Sequence, residues 1–245
     1  MPYADITFRD KNRIKRWIQK KRLLSAIELC DQLTSPPKTI CDFGAGNGEF
    51  CKLLAKKYPG ASIICYEPTA NFLSEARQNL RYVSKIEFCQ DIQSINSDTL
   101  DAVFCLEVFE HLPPKETIDA LQAISDKLKR KAKLIVGVPV GVGVPALYKG
   151  IFRMFRRFGA FDANVKNVAL SFLLHPPSQR PTSEITPGFR YHFEHMGFDF
   201  RPFQAILDNY FKVKNVSASP FAMLGSLFMP EVYFVAENDK DDLIV

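Results

Sequence analysis

From Lys38 to Val138 the chain alternates short apolar runs with longer stretches in which apolar residues recur at helical spacing. The runs are Ile40–Phe43, Ser62–Tyr66, Lys85–Cys89, Leu100–Leu106 and Lys131–Pro139, each long enough for a buried strand. Leu100–Leu106 is apolar enough to be covered on both faces, as in a parallel sheet. A helix is predicted from near Gly48, and another over Glu116–Lys129 behind Pro113-Pro114. Strands alternating with helices imply right-handed βαβ units, hence an α/β fold with a doubly wound, mainly parallel sheet. Further on, Pro202–Tyr210 reads as a helix, and Phe211–Ser217 and Glu231–Ala236 as two closing strands.

The first strand runs into Asp42-Phe43-Gly44-Ala45-Gly46-Asn47-Gly48-Glu49. Gly44 and Gly46 can take positive φ and let a ligand approach the backbone. The following helix aims its free N–H groups and positive dipole end at the turn. A dinucleotide fingerprint would place a third small residue where Glu49 stands, beside a diphosphate. The pattern D-x-G-x-G-x-G instead resembles the first motif of class I S-adenosylmethionine (SAM) methyltransferases. SAM carries a sulfonium and no phosphate, so nearby acids attract it. Further motifs follow in the expected order: Glu67 after the second strand, Asp91 after the third, and Glu-x-x-Glu-His at residues 107–111 after the fourth, whose spelling resembles the ubiquinone- and menaquinone-pathway methyltransferases.

The resemblance implies a seven-stranded Rossmann-like sheet and SAM as cofactor. It places Asp42, Gly44, Ala45, Gly46 and Gly48 around the donor, and Glu67 with Pro68 at its ribose. It sets Asp91 against the adenine amino group, Ile92 on the ring, and Leu106 and Glu107 beneath the methionine part. The plainer alternatives are a turn without a ligand, and acids that only cap the helices behind them. Glu110 and His111 are the candidate catalytic residues. His111 can act as a general base near neutral pH; with Glu107, Glu110 and a further histidine it can hold a divalent ion; or the pair braces the loop. These readings stay open, and no metal is assigned.

Residues 140–201 form an insertion that the sheet does not require, expected to be a cap that chooses the acceptor. In its first part, Ile151, Phe152, Phe155 and Phe158 share one helical side and Arg153, Arg156 and Arg157 another. Two arrangements suit this: a lid with its aromatics turned inward over the site, or an interfacial segment with peripheral membrane contact through 147–158. Pro187–Phe198 carries His192, Glu194 and His195 among aromatics and reads as a loop forming a substrate wall.

The chain has 245 residues, 47% hydrophobic and 24% charged, with a net charge of +5. That is an ordinary globular composition. No apolar run reaches the roughly 18 residues needed to span a bilayer, and basic residues occupy the N-terminus instead of a secretory core. Six cysteines without a C-x-x-C pair suit a cytoplasmic, reducing setting. Arg13–Arg22 is dense in basic residues interleaved with apolar ones, either a solvated face on a packed helix or a contact for nucleic acid or an anionic surface. The expected organisation is a basic helical segment over 1–35, a SAM-binding core over 36–139, the cap over 140–201, a helix and strand hairpin over 202–237, and an acidic tail over 238–245. The expected activity is O-methylation of a small molecule, sugar or lipid-linked intermediate. An RNA methyltransferase and a silent SAM- or partner-binding module are the rivals; without a recognisable RNA-binding module, nucleic acid is the less favoured partner.

Overall fold

The computed structural model describes the backbone of residues 13–30, 36–186 and 189–239, and within these the side chains from Lys21 onward except those of residues 30, 185, 186 and 189. The basic side chains before Lys21 and the tail from Lys240 lie outside the described residues. The chain runs α1 (Arg13–Cys30), β1 (Thr39–Phe43), α2 (Glu49–Lys57), β2 (Ser62–Tyr66), α3 (Ala70–Asn79), β3 (Ile86–Cys89) and β4 (Leu100–Leu106). It continues through α4 (Pro114–Lys127), β5 (Leu128–Pro139), α5 (Gly143–Arg157), α6 (Val165–Phe172), β6 (Thr182–Thr186), β7 (Phe189–His192), α7 (Phe200–Asp208), β8 (Lys212–Ser219) and β9 (Glu231–Glu237).

Seven strands form one sheet in the order β3-β2-β1-β4-β5-β9-β8. The first five pair in parallel, whereas β9 is antiparallel to both β5 and β8. The order reverses between β1 and β4, and a crevice opens there beyond the strands' C-terminal ends. The mainly parallel α/β sheet expected from the hydrophobic pattern is present. α4 stops two residues earlier than its pattern suggests, because Leu128 already pairs with Leu100 as the start of β5.

Apolar layers cover both faces of the sheet. On one, Ala26 and Ile27 of α1 join Phe50 and Leu54 of α2 and Leu73 and Ala76 of α3 over Ile40, Ile63 and Phe104. On the other, Leu121 and Ile124 of α4 and Phe203 and Leu207 of α7 pack with Phe109, Val136 and Phe234. Burying each large side chain contributes about 1.5–3 kcal/mol, so these layers hold the strand ends, and the crevice between them, in place.

The insertion corrects two expectations. The side of α5 that carries Phe152, Phe155 and Phe158 faces solvent, with these rings 63%, 87% and 75% exposed, so an inward-turned aromatic lid is not what forms. α5 packs through its small residues instead: Gly143, Pro145, Ala146 and Gly150 are buried. A Cβ at Gly150 would lie 2.4 Å from a Val168 methyl of α6. Close backbone approach claims that face and leaves the bulky one outside. The segment read as a loop includes a strand, with β7 pairing antiparallel to β6 through Thr182–His192 and Ser183–Tyr191. Thr182, Thr186, Phe189 and Tyr191 are strand formers flanking the Pro187-Gly188 turn signal.

Candidate functional site

The turn after β1 lies at the mouth of the crevice. The N–H groups of Gly44 and Ala45 both donate to Tyr66 O at 2.9 Å, and the Gly46 N–H donates to Glu67 Oε2 at 2.9 Å. Glu67 Oε1 accepts from the Thr69 N–H at 2.9 Å, so one carboxylate joins the turn to the start of α3. Gly44 and Gly46 are both left-handed, with φ of +78° and +55°, but for different neighbours. A Cβ on Gly44 would meet Val108 Cγ2 at 2.5 Å, whereas one on Gly46 would have no protein atom within 4 Å. Gly44 makes room for protein and Gly46 leaves room for a ligand.

That room belongs to a cavity of about 1150 Å³. Asp42, Gly44, Ala45, Gly46, Glu67, Pro68, Ile92, Leu106, Glu107 and His111 all line it. Three other candidates do not. Gly48 is buried against Leu80. Asp91 is exposed, its Oδ1 accepting from the Gln93 N–H at 2.9 Å while its neighbours Ile92 and Gln93 form the wall. Glu110 is fully buried next to His111. Asp42 accepts from the Cys51 thiol at 3.2 Å, and burial raises its carboxyl to about 7, with the Glu67 charge adding to the effect.

At the other end, Glu107 adopts left-handed backbone at φ +58°, uncommon for a residue with a side chain. Its N–H donates to Gly137 O at 2.8 Å. Burial alone would raise its carboxyl, but the Arg22 guanidinium, 2.6 Å away, together with His195 and Lys149, holds it below the usual range. Arg22 also pairs with Glu231, which accepts from the Tyr233 hydroxyl at 2.9 Å. Burial pushes Glu231 up to about 7 despite that pairing. Lys149 donates to Val140 O and Pro230 O at 3.3 and 3.0 Å, and burial draws it down to about 8.

Arg22, Glu231, Tyr233 and Lys149 were not expected here. Arg22 belongs to the basic run of α1, yet it turns inward and lines the cavity. The sequence signal was slight: Arg22 directly precedes the apolar Leu23-Leu24, and Glu231 opens an otherwise apolar strand.

His111 Nδ1 lies 2.6 Å from His192 O, tying the segment after β4 to β7. Its ring meets that of His195 edge-on at 4.9 Å. Burial lowers His195 to about 4 and also lowers His192. Arg180 donates to the backbone carbonyls of Glu110, Glu194 and Met196 at 2.7, 2.5 and 3.2 Å, holding this corner together.

A glycine turn, an acid at the end of β2 and a cavity at the reversal of strand order define a Rossmann-like domain that holds a nucleoside-type cofactor. Residues 40–131 match the family described as the methyltransferase domain. The chain is 30% identical over 106 residues to a malonyl-[acyl-carrier protein] O-methyltransferase of Anoxybacillus flavithermus, a match covering 42% of this chain and 40% of that protein. It is 28% identical over 124 residues to a trans-aconitate 2-methyltransferase of Rhodopseudomonas palustris, covering 50% and 43%. The chain thus spans less than half the length of these relatives. The N-methyltransferase NodS of Bradyrhizobium japonicum, solved with S-adenosyl-L-homocysteine, shares the fold at a TM-score of 0.58 and 14% identity, covering 94% of this chain and 89% of that one. Over residues 40–131 the chain is thus similar to class I SAM-dependent methyltransferase domains, a likeness that supports SAM as the cofactor.

Proposed function

We propose that this chain transfers the methyl group of SAM to an oxygen of a small molecule, sugar or lipid-linked acceptor. The observation that carries this reading is one continuous cavity reaching from Glu67 past Glu107 to His111. At about 1150 Å³ it exceeds the roughly 300–1000 Å³ of ordinary small-ligand sites, which suits a donor and a small acceptor together. Glu67 would take the ribose hydroxyls with lone pairs left over from its two backbone contacts. Ile92 would pack on the adenine, and Arg22, which lines the cavity beside Glu107, would attract the methionine carboxylate.

The transfer is an in-line displacement: the acceptor oxygen bonds to the methyl carbon as the carbon–sulfur bond breaks, leaving neutral S-adenosylhomocysteine. Its rate comes mainly from holding the two groups in line. A carbonyl only accepts, so the contact with His192 O places the His111 proton on Nδ1 and leaves the Nε2 lone pair to take an acceptor proton. Glu110 Oε1 lies 3.8 Å from that same Nε2. The name of the malonyl-[acyl-carrier protein] O-methyltransferase supports oxygen as the methylated atom.

The exposed aromatics of α5 support contact with a membrane surface, where a lipid-linked acceptor would be met. No helix among the described residues is long and apolar enough to cross one. The five cysteines among the described side chains, all buried and unpaired, fit a reducing compartment. The RNA rival is weakened by the inward turn of Arg22, which takes a charge out of the basic face. A site blocked by the cap would favour the silent-module rival, whereas here the cavity reaches His111.

Incubation with methyl-tritiated SAM and separate metabolite, lipid and RNA extracts tests the reading. Label in the metabolite or lipid fraction is expected. Label confined to RNA, or no turnover on any fraction despite tight SAM binding, would overturn it.

A further inference from the structure

We infer that Lys149, in the middle of α5, is a positioning residue for the methyl donor: it balances the carboxylates of Glu107 and Glu231, so that Arg22 can receive the methionine carboxylate of SAM. The inference rests on the proposed placement of SAM with its methionine end beside Arg22. It gives the insertion a part in holding the cofactor.

Two acids stand together in this wall of the cavity. Glu107 follows β4 and Glu231 opens β9, and the guanidinium of Arg22 faces both, 2.6 Å from Glu107 and paired with Glu231. These side chains are largely shut off from water, at 24%, 8% and 15% exposed for Glu107, Glu231 and Arg22. Arg22 alone would leave the wall negative, and the methionine carboxylate would be a third anion beside it. Charges in such poorly solvated surroundings act on one another strongly. Docking that anion asks for a second cation.

Lys149 supplies it. Its ammonium donates to Val140 O and Pro230 O at 3.3 and 3.0 Å. Val140 directly follows β5, Pro230 directly precedes Glu231, and the Val140 N–H donates to the same Pro230 O at 2.8 Å. Backbone thus holds the ammonium where β5 and β9 meet, within electrostatic reach of Glu107, Glu231 and Arg22. The other basic groups around it are committed or neutral: Arg153 pairs with Asp162 at 3.1 Å, and burial lowers His195 to about 4. With Lys149 counted, two cations face two carboxylates. At about pH 7.5 this charge state prevails, because burial draws Lys149 down only to about 8 and pushes Glu231 up only to about 7. Lys149 is not among the residues lining the cavity, so it acts through Glu107, Glu231 and Arg22.

The test is calorimetry on the full chain at about pH 7.5 with ligands that differ at the methionine end. SAM and S-adenosylhomocysteine carry the carboxylate; 5′-methylthioadenosine keeps the adenosine and the thioether but lacks it. Lys149→Met removes the charge and keeps a stem of similar length. It should raise the dissociation constants of SAM and S-adenosylhomocysteine at least tenfold, since at an effective dielectric of about 20 one uncompensated charge within about 8 Å of an ion is worth more than that. Methylthioadenosine should bind within about twofold of its wild-type affinity. Adding Glu231→Gln leaves one cation facing one carboxylate and should restore most of the lost SAM affinity. A lysine that served the fold alone would weaken all the ligands together, and the second substitution would not rescue it. Either of those results, or unchanged SAM affinity in Lys149→Met, overturns the inference. Should Lys149→Met fail to fold, Lys149→Gln, neutral but with an amide to serve the two carbonyls, decides by the same comparison. A wild type that binds methylthioadenosine as tightly as SAM overturns the placement of the methionine end beside Arg22, and one that binds none of the ligands overturns the cofactor reading; the inference falls with either.

Discussion

The guanidinium of Arg22 lies 2.6 Å from the carboxylate of Glu107, joining the N-terminal helix to the loop after β4 across 85 residues of chain. The same arginine pairs with Glu231 at the start of β9. One side chain thus ties α1, the end of β4 and β9 into the wall of the cavity. Removing one partner of a buried ion pair costs about 3–5 kcal/mol, because the other charge stays behind unpaired. Arg22→Met should therefore lower the unfolding midpoint and weaken SAM binding at least tenfold by calorimetry. Adding Glu231→Gln should recover part of the stability without restoring the affinity. A single variant that binds SAM as wild type does would separate α1 from the cofactor site.

The two glycines of the turn should fail in different ways. Gly44→Ala puts a methyl 2.5 Å from Val108 Cγ2 on left-handed backbone, so it should destabilise the fold by about 2 kcal/mol or more. Gly46→Ala meets no protein atom within 4 Å and should cost only about 1 kcal/mol of stability. Its methyl would enter the space assigned to SAM, so its SAM dissociation constant should rise at least tenfold. Denaturant unfolding and calorimetry on the pair check this. Equal loss of affinity at equal loss of stability would mean that Gly46 acts only through the fold.

Much of this was legible in the residues, and for physical reasons. Buried parallel strands need unbroken apolar runs such as Leu100–Leu106, and a backbone that meets a ligand needs glycine, so the core half and the turn show in the sequence. Arg22 was hidden because helical spacing reports a polar stripe without reporting whether one long arginine folds back under it. Glu231 was hidden because a lone acid at a strand's start resembles an edge. The α5 aromatics misled for the opposite reason: the periodicity was real, but Gly143, Ala146 and Gly150 on the other side decided which face packs. Asp91 stands at the expected place, yet its carboxylate caps a turn while its neighbours line the cavity.

Asp42 makes stability depend on pH. Its carboxyl titrates near 7 in the folded chain, chiefly through burial, against about 3.9 when unfolded. Between those values the folded state holds a proton that the unfolded state has lost, so stability falls as pH rises through this window and levels off above about 7. The penalty at high pH is at most about 4 kcal/mol by the same linkage. Asp42→Asn should flatten this part of the profile and unfold at a higher denaturant concentration than wild type at pH 8. Parallel wild-type and variant profiles between pH 5 and pH 8 would show that Asp42 is not the group responsible.

His111 and the cofactor should separate kinetically. The imidazole lines the cavity but is not among the residues proposed to grip SAM, so His111→Ala should leave the SAM dissociation constant within about twofold. Turnover on the acceptor found by the labelling experiment should fall roughly 10²–10⁴-fold, the usual worth of a positioned acid–base group. Unchanged turnover across pH would reduce the residue to a brace between the segment after β4 and β7.

The outward face of α5 makes the last prediction. Phe152, Phe155 and Phe158 together form an apolar surface that a soluble monomer rarely presents without use. Arg156, over the Phe152 ring at 5.9 Å, adds positive charge beside them, while Arg153 and Arg157 both pair with the buried Asp162. Such a face suits the headgroup region of an anionic bilayer. Replacing Phe155 and Phe158 by serine should change stability by no more than about 0.5 kcal/mol per site, since both are exposed. Sedimentation with vesicles containing anionic lipid should fall at least fivefold, while SAM affinity stays the same, because neither ring touches the cavity. If wild type does not sediment with such vesicles at low salt, the acceptor is met in solution and the aromatic face serves another contact.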